Sequence, residues 1–191
     1  LQVGTNPNGT PRYRSVNLKF TGINATNKFL RIRALDLLAA ASGFDVANIT
    51  SVSFIVDKDT IPQAPGTVTV RSQNLVYVPP VPAVSTGPVT NLENFRVAPG
   101  ELDLSGIIGP INQTSSSQFS FTYQDPGDDQ FGGAIIVFNA TDDLNNPIRP
   151  NLTSTDLVFD VSGVTQLIVS VSDDLQVGTN PNGTPRYRSV N

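Results

Sequence analysis

Short runs in which apolar and polar residues alternate recur along the chain, and turn-forming residues separate them. Val52, Phe54 and Val56 share one face of such a run. Alternation with a period of two indicates β-strands with one buried face. Further runs contain Val68 and Val70; Leu75 and Tyr77; Leu102 and Leu104; Phe119, Phe121 and Tyr123; and Leu157, Phe159 and Val161 ahead of Leu167, Val169 and Val171. Roughly eight to ten strands with Pro-, Gly- and Asn-rich loops predict an all-β fold, an antiparallel sandwich that is Ig-like or jelly-roll-like.

Three segments depart from simple alternation. Residues 34–42 are rich in Ala and Leu, and Gly43 stands where a C-cap would fall, which predicts one short helix. The continuous apolar run at 134–138 predicts a strand that is buried on both faces. Gly132 and Gly133 at the start of this run predict a β-bulge.

The two ends of the chain carry the same sequence. Residues 1–17 and 175–191 both read LQVGTNPNGTPRYRSVN, an exact repeat at an offset of 174 residues. We name them the first copy and the second copy. The organisation predicted is a linker and strand start shared with a neighbouring repeat at 1–17, a β-sandwich domain at 18–174, and the start of the next repeat or a donor strand at 175–191.

Two origins of this duplication remain open at this point. The parent protein can be a tandem array of near-identical repeats, of which the chain holds one period and an overlap. Alternatively, the first segment was copied onto the other end by design in order to complete a fold. In both cases the segment serves a neighbouring unit as well as its own.

Each copy combines a joint with a strand. Gly, Pro and Asn crowd residues 4–11, which predicts turns, and residues 12–21 alternate in the manner of a strand. A strand beside a joint can add to the edge of the preceding unit's sheet. The predicted assembly strand comprises Tyr13, Arg14, Val16, Leu18 and Phe20, with Tyr187, Arg188 and Val190 in the second copy.

Asn-x-Thr sequons are frequent, and all of them use Thr. They predict N-glycosylation of an exported chain, although a composition rich in Asn and Thr would produce some of them without any such role. The sites are Asn8, Asn24, Asn48, Asn112, Asn139, Asn151 and Asn182.

Pairs of acidic residues are the candidate metal ligands. Closely spaced carboxylates suit Ca²⁺, a cofactor that the sequence allows without matching a known calcium-loop pattern. Solvated acids in turns are the competing interpretation. The candidates are Asp125, Asp128 and Asp129 in one loop and Asp173 and Asp174 at the joint.

Composition argues against several functions. The chain has no Cys and no His, which removes thiol nucleophiles, the Ser-His-Asp triad and His-based metal sites. With no Trp and four Tyr, it is poor in the aromatic platforms of a glycosidase. We therefore predict no catalytic residues and no enzyme. A net charge of −4 without a basic block predicts no nucleic-acid partner. Apolar runs also fall short of the roughly 18 residues of a membrane span.

The duplicated LQVGTNPNGTPRYRSVN, the strand alternation and the sequons together resemble the tandem Ig-like or cadherin-like repeats of prokaryotic surface proteins. They are also similar to donor-strand-linked extracellular fibre subunits. The cadherin calcium motifs are absent. The resemblance implies a structural repeat or subunit of an extracellular filament, stalk or surface protein, whose partners are neighbouring copies of itself in a head-to-tail homopolymer or array. The alternative is an adhesin-type repeat that binds a glycan or a protein through its loops.

Overall fold

The computed structural model describes twelve stretches of the chain, and in the two terminal copies it describes the course of the backbone. The described residues are 2–5, 11–13, 17–23, 28–60, 65–77, 96–97, 99–103, 106–125, 130–138, 149–153, 155–179 and 185–190.

Strands dominate these residues, together with one short helix. In chain order they are β1 (Gln2–Thr5), β2 (Pro11–Tyr13), β3 (Asn17–Thr21), β4 (Lys28–Ile32), α1 (Ala34–Ala40), β5 (Ile49–Asp57), β6 (Gly66–Ser72), β7 (Val76–Tyr77), β8 (Arg96–Val97), β9 (Pro99–Asp103), β10 (Asn112–Ser115), β11 (Gln118–Tyr123), β12 (Phe131–Val137), β13 (Leu157–Ser162), β14 (Gln166–Thr179) and β15 (Pro185–Val190).

Two antiparallel sheets form the body of the molecule. One has five strands in the order β10-β11-β6-β13-β4. The other has six, in the order β15-β14-β5-β12-β9 with β3 also paired to β14. The strands β1 and β2 pair only with each other in this topology, and β7 and β8 form a short parallel pair. The predicted all-β sandwich is confirmed.

The core lies between the two sheets and contains side chains from both. Phe54 on β5 meets Phe159 on β13 edge to face, with ring centroids 4.9 Å apart. Its ring also meets Phe119 on β11 at 6.0 Å. All three rings are fully buried. Edge-to-face pairs contribute about 0.5–1.5 kcal/mol beyond the burial of their surface, so this cluster stabilises the packing of one sheet on the other.

The predicted strand faces are confirmed in the core. Val52, Phe54 and Val56 are fully buried on β5. The inner faces of β6, β11, β13 and β14 are also buried, and they carry Val68, Val70, Phe119, Phe121, Tyr123, Leu157, Phe159, Val161, Leu167, Val169 and Val171. These strands each present one face to the opposite sheet, as period-two alternation requires.

The prediction that 134–138 is buried on both faces is wrong. Ala134, Ile136 and Phe138 are buried, but Val137 is 44% exposed. The segment belongs to β12, which pairs antiparallel with β5 and β9. Antiparallel sheets commonly have one face on the core and one toward solvent, and the outer face of β12 is open to solvent at Val137.

The β-bulge predicted at Gly132 and Gly133 is also absent, because β12 pairs with both neighbours in an unbroken register through these residues. Close approach of backbone explains the glycine instead. A Cβ on Gly133 would collide with the carbonyl oxygen of Phe54 on the adjacent strand.

The predicted helix is confirmed as α1 and ends at Ala40, two residues before the predicted end. Its first turn is closed by Asp36, whose carboxylate accepts the Arg33 backbone N–H at 3.1 Å and two guanidinium hydrogen bonds. These guanidinium hydrogen bonds lower the pKa of Asp36. Leu37 fixes the helix to the core, where it is fully buried. Gly43 follows with φ of +79°, a conformation that favours glycine.

Candidate assembly site

Both copies of the terminal segment fold into the same hairpin. In the first copy, Gln2 pairs with Tyr13 and Thr5 pairs with Pro11. In the second copy, the equivalent pairs are Gln176 with Tyr187 and Thr179 with Pro185. The register shifts at the same point in both, after the Gln of the first strand. The hairpin is therefore set by the sequence of the segment itself, because two different surroundings give the same pairing.

The second copy is built into the six-stranded sheet, whereas the strands β1 and β2 of the first copy are not part of it. The 14-residue strand β14 begins in the core and continues without interruption into the second copy. Its partner β15 returns along it as the outermost strand. In the first copy β1 and β2 form a separate two-stranded sheet. An isolated two-stranded hairpin is marginally stable in water, so the first copy has the greater need of a further partner.

The strands β3 and β15 share one edge of β14, with β5 on the other edge. The pairs of β3 run from Gln166 with Thr21 to Ser170 with Asn17. The same register assigns the next two positions, Val171 and Ser172, to the two residues that precede Asn17 in the sequence. Val171 and Ser172 are instead paired with Val190 and Ser189.

Val190 and Ser189 are the second-copy equivalents of the residues that precede Asn17, namely Val16 and Ser15. The outer strand is thus assembled from two pieces, one from each end of the chain, in the register of one continuous strand. We name the edge of β14 from Val171 to Thr179 the acceptor edge.

Asp173 anchors β14 at the point where the strand leaves the core. The side chain is fully buried. The backbone N–H of Asp45 donates to its Oδ2 at 2.7 Å, and the hydroxyl of Thr50 donates to its backbone carbonyl at 3.3 Å. The loop of Asp45 is itself closed by its carboxylate, which accepts from the Ala47 backbone and the Asn48 side chain. Asp173 therefore ties the base of the acceptor edge to the loop before β5.

Among the described residues, the acidic side chains proposed as calcium ligands do not lie together. Asp125 is exposed beyond the end of β11, and Asp173 has the structural contacts given above. Asp174 lies in β14, while Asp128 and Asp129 lie outside the described residues. Within the described part of the chain, no three acidic residues cluster in a way that could hold a metal ion. Calcium binding stays a prediction.

Three of the predicted glycosylation sites can be placed. Asn48, Asn112 and Asn151 all have exposed side chains. The Asn151 side-chain oxygen accepts hydrogen bonds from the backbone N–H and the hydroxyl of Thr153, the Thr of its own sequon. Asn8, Asn24, Asn139 and Asn182 lie outside the described residues.

The predicted assembly strand is described only in part. Leu18 and Phe20 on β3 are partly buried against the core, while Lys19 and Thr21, which alternate with them, are exposed, as predicted. For the rest, the backbone of Tyr13 lies in β2 and that of Tyr187, Arg188 and Val190 lies in β15. Arg14 and Val16 lie outside the described residues.

Sequence reasoning missed the acceptor edge and the anchor Asp173. A signal for the first was present, since the alternation of Leu167, Val169 and Val171 runs toward the second copy with no Gly or Pro between them. Such continuity predicts one long strand across the start of the repeat. Asp173 carried no such signal, because an acidic pair beside a joint is equally typical of a solvated turn.

Comparison with known proteins adds no relative: no family model, no curated protein and no solved structure matches the chain. Among the described residues, no helix is both long and apolar enough to cross a membrane.

Proposed function

We propose that this chain is a structural repeat or subunit of an extracellular filament, stalk or surface protein, in which copies join head to tail through the copied segment. The observation that carries the proposal is the pairing of β15 with β14. A segment whose sequence also opens the chain is an edge strand at its other end. A following copy of the chain can offer the same sequence to the same edge.

Strand addition explains how such a joint gains both strength and direction. Each backbone hydrogen bond across an edge contributes about 0.5–1.5 kcal/mol net, and the apolar positions of the added strand fix its register. The contact joins two different surfaces, so it does not close on itself and propagates into a chain. Covering the outer edge of a sheet also suppresses unwanted pairing between sheets.

The sequons support an extracellular location. N-glycosylation occurs on exported chains and requires an accessible Asn. Asn48, Asn112 and Asn151 meet the second condition, since all three are exposed. Attached glycans at these positions would keep a long assembly soluble.

Electron microscopy of the purified chain over a range of concentrations tests the proposal. Regular filaments whose number rises with concentration are the expected result. Separate particles at every concentration up to about 1 mM, which is the effective concentration of a tethered segment, would contradict it.

A second candidate function, a repeat that binds a glycan or a protein, is favoured by the outer face of the five-stranded sheet, a different surface from the loops that the sequence predicted for an adhesin-type repeat. Phe29 is 59% exposed on the edge strand β4. It pairs with Asp160, which in turn pairs with Arg71, so an exposed aromatic ring and two charged groups form one row across the sheet. Exposed aromatic and Arg side chains are typical of binding surfaces. Screening against an array of glycans, with F29A as the matched variant, tests this candidate: binding that F29A abolishes would favour it.

A further inference from the structure

The second copy occupies Val171 and Ser172 of β14, and the register of β3 assigns the same two positions to the sequence of the first copy. We propose that the acceptor edge is the joint between successive molecules: the first copy of a second chain displaces the resident β15 and pairs with Val171 and Ser172 in the register that β15 holds here. This inference rests on the proposed function and specifies its contact.

The partner is identified by sequence identity. The acceptor edge is occupied by residues 185–190, and residues 11–16 of every molecule have the same sequence. A second chain therefore offers the same backbone hydrogen bonds and the same side chains to β14. The two occupants differ only in how they are connected, because β15 is tethered to its own β14 and the first copy of a second chain is not.

The first copy is also the better donor of the two. In the described residues, β1 and β2 belong to neither large sheet, so their use costs no pairing within the sandwich. The incoming β2 exchanges its pairing with its own β1 for the same pairing with the end of β14, because the two hairpins have one register.

The occupied edge also fixes where the incoming chain must turn away. Ser170 of the acceptor is paired with its own Asn17, directly beside the place of Val190. An incoming first copy can therefore follow β14 only as far as its Val16 and must leave the edge at its own Asn17. Its β3 is then free to pair with its own β14, so each molecule gives one segment and accepts one.

The absence of cysteine makes disulfide trapping a clean test in the full-length chain. Directly opposed residues of an antiparallel pair have Cα atoms about 4.5–5.5 Å apart, which suits a disulfide. One chain carries Ser172→Cys as the acceptor, and a second chain carries Ser15→Cys as the donor. A Gln166→Cys acceptor is the matched control, because Gln166 lies on the same edge of β14 opposite Thr21.

Mild oxidation of the mixed chains is expected to give a disulfide-linked heterodimer with the Ser172→Cys acceptor and not with the control. Weakening the resident β15 should raise the yield. Successive N–H groups of a strand point to opposite edges, so either Val190→Pro or Ser189→Pro removes one bond to β14. The expected rise is about fivefold for whichever of these two substitutions removes the bond.

Two results would overturn the inference. One is the lack of a heterodimer with all three acceptors, Ser172→Cys alone and with either proline. The other is a Ser15→Cys/Ser172→Cys double variant that closes only within one chain, because the first copy then serves its own sheet. Filaments without the heterodimer would refute this joint and leave the proposed function standing. A heterodimer without filaments would support the joint and refute the filament.

Discussion

Val190 pairs with Val171, the position that the register of β3 assigns to the residue before Asn17. The outermost strand of the six-stranded sheet therefore consists of two pieces, from opposite ends of the chain, that keep one register. Its sequence across the gap, Ser-Val followed by Asn-Leu, is the sequence of residues 15–18. A chain that carries the segment twice thus has two candidates for one half of this strand, which is the physical basis of the proposed joint.

The buried carboxylate of Asp173 should contribute to the stability of the base of the acceptor edge. Replacing it by Ala removes the acceptor of the Asp45 N–H, a hydrogen bond to a charged group, and should lower the free energy of unfolding by about 2–3 kcal/mol. Urea unfolding measures the change. The exposed Asp125 provides the control, and D125A should lie within about 0.5 kcal/mol of the original chain. Equal effects of the two variants would refute the anchoring role.

The contact between the two sheets depends on Phe159. F159A removes a fully buried ring whose centroid lies 4.9 Å from that of Phe54. The resulting cavity should lower the free energy of unfolding by about 3–5 kcal/mol. Phe29, which is 59% exposed, allows the same substitution at the surface. F29A should change stability by less than about 0.5 kcal/mol, and denaturant unfolding of both variants makes the comparison.

Gly133 should not tolerate a side chain, although its strand is regular. G133A places a methyl group against the carbonyl oxygen of Phe54 and should destabilise the protein by about 1–3 kcal/mol as β5 and β12 move apart. Gly100 on the neighbouring β9 is the matched control, since a Cβ there meets only Ile135, at 3.8 Å. Thermal unfolding measures the change. A melting temperature of G100A at or below that of G133A would contradict the close approach of Gly133 to Phe54.

Alkaline pH should destabilise the fold through Tyr123. Burial raises the pKa of Tyr123 above its ordinary value of 10.0. The folded protein then holds this proton more tightly than the unfolded chain does. Its contribution is fully present below pH 10 and is lost as the pH rises from there through the folded-state pKa. Unfolding measured from pH 9 to 12 should show a steeper loss of stability in the original chain than in Y123F, and an identical slope would refute the prediction.

Much of the fold could be predicted from the sequence, because period-two alternation is a local signal. Phe119, Phe121 and Tyr123 lie on one face in the sequence and are buried together in the structure. Local signals fail where two structures share one pattern. A short apolar run such as that ending at Val137 does not say whether its outer face is covered, and Gly133 looks the same at a bulge as at a close approach between strands.

The continuity of β14 left a signal in the sequence, but the identity of the strand that pairs with its acceptor edge did not, for a different reason. Pairing between β14 and β15 is a relationship between segments, and identical copies give no indication of which copy lies where. The register that aligns Val190 with the end of β3 depends on the paths of three strands. Only coordinates could show that β3 and β15 pair with the same edge of β14.

The most direct test of the central claim is electron microscopy of the intact chain beside a chain that lacks residues 1–16, at equal and high concentration. The truncated chain keeps β3 and its own β15, so unfolding measurements should find it folded. We predict filaments for the intact chain and separate particles for the truncated one, because the truncated molecule has no segment to donate. Filaments of equal length and number from both chains would contradict a joint made by the copied segment.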